Sequence, residues 1–424
     1  MSTTAAAPVD PIFPSLHIRP RTGWLNDPNG VSLVDGRYHV FFQYNPGAPT
    51  HGDIAWGHVS SDDLLHWREE PLALVPRAGK IDAAGCWSGC VVDDGGVPTA
   101  VYSAVPDHAW NAAVVLARSD RSMVDWVQDE VPQMPHPTDP DIAEVRDPFV
   151  FTFEGHRYAV QGAGQQQGEP RILAYACDDL NEWAPLGSLL TFDDPIAAEV
   201  APANIWECPN LFYLDGTWVL LVSMWRWIQG THSLAGVQYL IGDLQRDADG
   251  LRFIPTRGGS VDDGATFYAP QVLSTGDRAL LWGWAFEQDR TEAQVAAAGW
   301  AGVLTFPREL RVVDGRLVSS PAAELVRLRH QELAWQPGDM LTETSFEVES
   351  QGPLSLVLVD GRIQQTVAEL TKPARVLVDG SMIEIFTGEM ATTTRAYPGS
   401  NSFWELRARA DDVTLYRLAL PAEQ

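Results

Sequence analysis

DGRYHVFF (35–42), EGHRYAV (154–160) and DGTWVLLV (215–222) share one plan, a Gly-containing turn followed by an aromatic and apolar run. Each reads as a hairpin with its turn at the glycine and a buried strand after it. A second unit recurs with them: SDDLLHW ends at Trp67, SDRSMVDW at Trp126 and CDDLNEW at Trp183, at spacings of 59 and 57 residues. A period of this length holding several short strands suits the blade of a propeller, four strands set round a central axis.

Upstream of each hairpin stands a carboxylate. Asp27 precedes Tyr38 by eleven residues, as Asp147 precedes Tyr158 and Glu207 precedes Trp218, and each is closely followed by proline: DPNG (27–30), DPFV (147–150), ECPN (207–210). GCWSGC (85–90) and FYAPQ (267–271) are weaker copies, which makes five between about residue 20 and residue 310. On a propeller the first strand of every blade lines the axis, so the three carboxylates are expected to converge at one mouth. A lone Asp-Pro is an ordinary turn signal. Three at one offset are poorly explained by turns, because clustered carboxylates cost free energy unless something uses them.

Beyond 310 the period stops. PAAELVRLRHQEL (321–333) reads as a short helix or linker, and PLSLVLVDGR (353–362), ARVLVDGSMIEIFTGE (374–389) and FWELRARADDVTLYRLAL (403–420) read as hairpin-rich strands. The expected fold is all-β: a five-bladed β-propeller over 1–315, a linker or short helix over 316–335, and a C-terminal β-sandwich over 336–424 that supports the propeller.

Composition narrows the partners. The net charge of −27, from 56 acidic against 29 basic residues, speaks against nucleic acid or an anionic membrane and for a neutral small ligand. Lysine is confined to Lys80 and Lys372, in keeping with either a G+C-rich genome or a salty cytoplasm. The start, MSTTAAAPVDPIFPSLHIRP, lacks a basic and an apolar signal region, and no later stretch is apolar for long enough to cross a bilayer, so a cytoplasmic location is expected. Cys86, Cys90, Cys177 and Cys208 suggest buried reduced thiols. The ten histidines show no metal-ligand spacing, and neither metal nor cofactor is expected. The oligomeric state is not legible.

Clustered carboxylates suit glycoside hydrolysis. One protonates the leaving oxygen and another, about 5–5.5 Å away in a retaining enzyme, attacks the anomeric carbon. The neighbours suggest roles: Asn26 and Asn29 can hydrogen-bond Asp27 and keep it ionised, Arg146 can do the same for Asp147, and Trp206 with Cys208 gives Glu207 an apolar setting that suits a proton donor. Trp24, Trp56, Trp87, Trp206, Phe267, Tyr268 and Trp284 lie in or near the repeats, and aromatic faces pack on sugar C–H faces. About half of these are expected to be core.

These segments resemble glycoside hydrolase family thirty-two, the invertase and fructanase family: WLNDPNG (24–30), VRDPF (145–149) and WECPN (206–210) are similar to its three carboxylate motifs. FFQYNP (41–46), WGHVSSDDLLHW (56–67), WSGC (87–90), FYAPQ, GWAGVLTFPREL (299–310) and VLVDGSMIEIF (376–386) agree in order along nearly the whole chain. The resemblance implies a retaining β-fructofuranosidase that releases terminal fructosyl units from sucrose or short fructo-oligosaccharides. It implies Asp27 as nucleophile, Glu207 as acid and base, and Asp147 as transition-state stabiliser beside Arg146, with Asn26, Gln43, Trp87, Ser88 and Trp284 lining the fructose pocket near Trp24. His51 stands where many members carry Trp, WSGC replaces Phe-Ser-Gly-Ser, and the C-terminal region is short. His51 reads as a rim contact or as an ordinary loop residue. Sucrose-6-phosphate hydrolase, exo-fructanase and fructosyltransferase are the rival activities, with an inverting relative and a non-catalytic sugar-binding propeller further off.

Overall fold

The computed structural model describes residues 10–422, apart from 108–111, 140–141, 166–167, 248–249 and 277. Most of the start quoted above, residues 1–9, therefore lies outside the described residues, as do 423–424. The chain is nearly all β.

Five antiparallel four-stranded meanders follow one another. The first runs Gly23–Val34, Arg37–Asn45, Ala55–Ser61, Arg68–Leu74; the second Gly85–Asp94, Val97–Val105, Ala113–Ser119, Trp126–Gln128. The third runs Glu144–Phe153, His156–Gly164, Arg171–Ala176, Ala184–Thr191; the fourth Ile205–Leu214, Thr217–Ile228, Thr231–Asp247, Gly250–Ser260. The fifth, Phe267–Ser274, Ala279–Ala285, Arg308–Val313, Arg316–Pro321, is interrupted by an excursion that includes the helix Glu292–Ala298. Trp300–Ala301 from this excursion pairs in parallel with Gly23 and Trp24, tying the fifth unit to the first. The first strand of each meander packs against the first strand of the next, and the fifth against the first. Apolar clusters fill the spaces between neighbouring sheets, for example Phe41, Trp56, Tyr102 and Val115 between the first and second. Two of the recurring tryptophans close the turn before a fourth strand, Trp126 by donating from Nε1 to the Met123 carbonyl and Trp183 by donating to that of Leu180.

Every first strand carries a bulge at the same place. Pairing jumps between Leu25 and Pro28, Trp87 and Gly89, Arg146 and Phe149, Glu207 and Asn210, and Tyr268 and Gln271. Asp147, Cys208 and Ala269 adopt φ of 61°, 46° and 44° there, each just before a proline that has no N–H to leave stranded. The bulges correct the eleven-residue alignment. Glu207 is the last paired residue before its bulge, level with Leu25, Trp87, Arg146 and Tyr268, whereas Asp147 follows that place by one residue, as do Ser88, Cys208 and Ala269, and Asp27 follows it by two. The hairpin anchors hid this offset, since Tyr158 pairs with Phe151 and Trp218 with Tyr213, which stand at different distances from Arg146 and Glu207.

After the 3-10 turn Ala323–Leu328 come two further sheets. One has six strands in the order Arg329–Leu333, Val413–Leu418, Ser345–Ser350, Ala374–Asp379, Met382–Phe386, Ala391–Arg395, and the other has three, Ile363–Leu370, Leu354–Asp360, Phe403–Arg407. Alternate residues of both, such as Phe346, Val376 and Ile383 against Leu356, Trp404 and Leu406, share one core. A buried charge cluster joins these sheets to the fifth meander and the N-terminal segment. Arg308 bonds Asp262 at 2.6 Å and Glu384 at 2.6 Å, and His17 bonds Asp379 at 2.8 Å and Glu384 at 3.1 Å.

Candidate functional site

A bulge turns two successive side chains to the same side of a strand. Sequence alternation alone would send Asp147 and Arg146 to opposite faces; the bulge brings both into one cavity of about 260 Å³. Trp24, Asn26, Asp27, Gln43, His51, Trp87, Glu207 and Trp284 line the same cavity. Ser88 sits behind Asp27 and donates from Oγ to its Oδ2 at 2.7 Å. The structure thus gathers all eleven residues expected from the sequence.

The three carboxylates are held differently. Asp27 accepts from Gln43 Nε2 at 3.1 Å and Asn26 Nδ2 at 3.1 Å, besides Ser88, and Asn26 is itself fixed by Trp24 Nε1 at 2.9 Å. Asp147 Oδ2 accepts from the Cys208 N–H at 2.9 Å, while its own N–H donates to Ser103 Oγ. Glu207 takes Tyr268 Oη–H at 2.7 Å on one oxygen and Arg146 Nε at 2.8 Å on the other. Cys208 Sγ lies 3.7 Å from Asp27 and 3.5 Å from Asp147, with its thiol pushed well up, first by burial and then by the two aspartates.

Two local expectations from the sequence are corrected here. Arg146 favours the charged form of Asp147 through space alone; its hydrogen bonds run to Glu207 and, from Nη1 at 2.6 Å, to Glu144, so its charge is shared with two glutamates. The amides, for their part, do not keep the aspartates at ordinary values. Burial raises Asp27 to about 6 against the Ser88 and Asn26 hydrogen bonds, and burial with Glu207 raises Asp147 to about 7 against Arg146. Desolvation in the pocket outweighs the donors that reach each group.

The supporting geometry depends on a close approach. Gly162 faces Arg146 across the ladder, and a Cβ there would lie 1.9 Å from the Trp206 carbonyl. Only glycine lets the third and fourth units touch closely enough for Arg146 to reach Glu207. Of the seven aromatics singled out, Trp56, Trp206 and Phe267 are core, while Trp24, Trp87, Tyr268 and Trp284 line the cavity. His51 is exposed at the mouth, its ring 6.4 Å from that of Trp24 and 6.0 Å from that of Trp87.

Trp225, His232 and Leu234 also line the cavity and escaped the sequence reading. They belong to the hairpin Thr217–Ile228 and Thr231–Asp247, whose WRW run and Gln229-Gly230 turn repeat the hairpin signal used above. Tyr268, counted only among the aromatics, occupies in the fifth unit the place of Arg146 and Glu207. Three buried polar atoms at the pocket, Gln43 Oε1, Arg146 Nη2 and Trp284 Nε1, have no hydrogen-bond partner among the described residues, which equips the cavity to receive hydroxyl groups.

The profile described as "Glycosyl hydrolases family 32 N-terminal domain" matches residues 17–321. The chain is 33% identical over 427 residues to a sucrose-6-phosphate hydrolase of Klebsiella pneumoniae, across 92% of this chain and 90% of the relative. It is similar to a mutant Bombyx mori β-fructofuranosidase solved in complex with sucrose, with 26% identity and a TM-score of 0.79 over 97% of this chain and 95% of that one. A sucrose-6-phosphate hydrolase from Lactobacillus gasseri has the same fold, with a TM-score of 0.81 at 24% identity over 97% and 94% of the two chains.

Proposed function

The chain belongs to glycosyl hydrolases family 32 and is a β-fructofuranosidase-type hydrolase; from that premise we propose that it removes terminal fructosyl units from sucrose or short fructo-oligosaccharides with retention of configuration. The observation that carries the residue assignment is the shared cavity: Asp27, Asp147 and Glu207 face one space of about 260 Å³, at the small end for ligand sites and suited to a single sugar ring.

Asp27, ionised, attacks the anomeric C2 of the fructosyl unit. The C2–O bond to the leaving group breaks as Glu207 delivers its proton to that oxygen, leaving a fructosyl ester on Asp27. Glu207, now a carboxylate, takes a proton from water, whose oxygen attacks C2, and Asp27 departs with its electron pair. Tyr268 and Arg146 hold Glu207 by one oxygen each, and Asp147 binds ring hydroxyls whose hydrogen bonds strengthen as positive charge develops. Gln43, Trp284 and Arg146 offer the remaining polar atoms to fructose.

The fold that suits this reading is a five-bladed β-propeller, one blade per meander, followed by a β-sandwich. The division drawn from sequence, 1–315, 316–335 and 336–424, is best moved to the 3-10 turn at Ala323–Leu328, since Arg316–Pro321 pairs with Arg308–Val313. A cytoplasmic location accompanies the proposal: all four cysteines are free and buried, and no helix among the described residues is long and apolar enough to cross a membrane.

The test is fructose release from sucrose, sucrose-6-phosphate, 1-kestose, inulin and levan by wild type and Asp27→Ala, with NMR of the first-formed anomer. Cleavage of small unphosphorylated sugars to β-fructofuranose by wild type alone supports the proposal; an inverted anomer or an active variant overturns it.

A further inference from the structure

The second hairpin of the fourth meander is longer than its counterparts. Its arms span 12 and 17 residues, whereas the second strands of the other units have nine or seven. The excess projects over the cavity, and its register sorts its side chains. Trp225 pairs with Leu234 and Trp227 with His232, two steps apart and so on one face, while Arg226 pairs with Ser233 between them on the other. The first face meets the pocket: Trp225, His232 and Leu234 line it, and the His232 ring lies 4.0 Å from that of Trp225 and 4.4 Å from that of Trp227. Trp225 in turn lies under the Arg146 guanidinium at 4.3 Å, on the side of the pocket where Arg146 grips Glu207. A general acid stands beside the oxygen it protonates, so this side is where the departing group sits.

We propose that the overhanging hairpin tip, through Trp225, Trp227, His232 and Leu234, is the leaving-group subsite, that it takes an uncharged pyranose by stacking, and that it selects free over phosphorylated sucrose. This rests on the fructosidase reading above. The indole and imidazole rings of this wall, inclined to one another by 39° and 73°, offer aromatic faces and edges to the C–H groups of a glucosyl ring. A phosphate would want guanidinium or ammonium groups, and the wall carries no unshared cation: Arg226 faces away, Arg146 keeps only Nη2 free while Glu207 and Glu144 share its charge, and His232, lowered by burial, is uncharged near neutrality. The net charge of −27 further opposes a dianion.

The experiment compares kcat/KM for sucrose, sucrose-6-phosphate and methyl β-D-fructofuranoside, whose methyl aglycone is too small to use the wall, in wild type, Trp227→Ala, His232→Ala and His232→Lys. Wild type is expected to prefer sucrose over its 6-phosphate at least tenfold. The alanine variants should lose at least fivefold more on sucrose than on the methyl fructoside, and His232→Lys should shift the ratio towards the phosphorylated sugar. A wild-type preference for the phosphate, or equal losses on both neutral substrates, overturns the subsite while leaving the fructosidase assignment standing. Failure of wild type to cleave any fructoside brings down both.

Discussion

Two buried groups of carboxylates lie in this molecule, and they are treated in opposite ways. At the junction with the C-terminal sheets, Asp262, Asp379 and Glu384 are met by Arg308 and His17, by the Phe306, His17 and Thr393 N–H groups and by the Ser345 and Thr393 hydroxyls. Burial works against the charge on Glu384, yet Arg308 and His17 hold it below its ordinary value. At the pocket one arginine is divided between Glu207 and Glu144, and Asp27 and Asp147 are left to a few dipoles and rise to about 6 and about 7. Saturation of donors makes a joint; a shortage of them leaves carboxylates ready to exchange protons and attack.

Removing one charge from each group should therefore have opposite consequences. Asp27→Asn is expected to lower fructose release by at least about 10⁴-fold, as loss of a nucleophile does, with the fold retained by circular dichroism. Arg308→Ala leaves Asp262 buried without its counter-ion and Glu384 with His17 alone, and should cost about 3–5 kcal/mol in denaturant unfolding; a loss under about 1 kcal/mol would erase the contrast. Asp147→Asn should do the reverse. Because the native carboxyl at about 7 binds its proton more tightly than the unfolded one, wild-type stability falls as pH rises from about 4 to 7. The amide escapes that fall and should gain on the order of 3 kcal/mol at pH 8, measured by thermal unfolding at both ends of the window.

Two smaller tests sharpen the comparison. The proposed attack requires Asp27 in its ionised form, so kcat/KM should fall on the acid side of about pH 6, and a limb near pH 4 would contradict its burial. At the junction His17 is raised above 6.5 because the hydrogen bonds of Asp379 and Glu384 overcome its burial. Its contribution is full below 6.5 and disappears as pH rises through the folded value. His17→Gln should flatten that loss, by about 1 kcal/mol.

The sequence showed the meanders, because an Asp-Gly or Glu-Gly turn before an aromatic and apolar run is a local signal, and it showed the three carboxylates, because a repeat makes unusual residues visible by their spacing. It concealed the bulges. Alternation is a rule of period two, and a bulge breaks the rule without changing composition, so the equivalence of Glu207 with Arg146 and Tyr268 emerges only from pairing. The hydrogen bonds then show it plainly: Arg146–Glu207, Tyr268–Glu207 and Ser88–Asp27 all join residues 61 apart. The buried junction was illegible for a different reason. Arg308, Asp262 and Glu384 come from segments as far apart as 122 positions in sequence, and no local pattern announces that partnership.

The repeated bulge also bears on how such a site changes over generations. Each unit places a two-residue word at the pocket or directly behind it: Asn-Asp at 26–27, Trp-Ser at 87–88, Arg-Asp at 146–147, Glu-Cys at 207–208 and Tyr-Ala at 268–269. Each word rests on its own one-residue bulge, so one word can be rewritten while the other four keep their places.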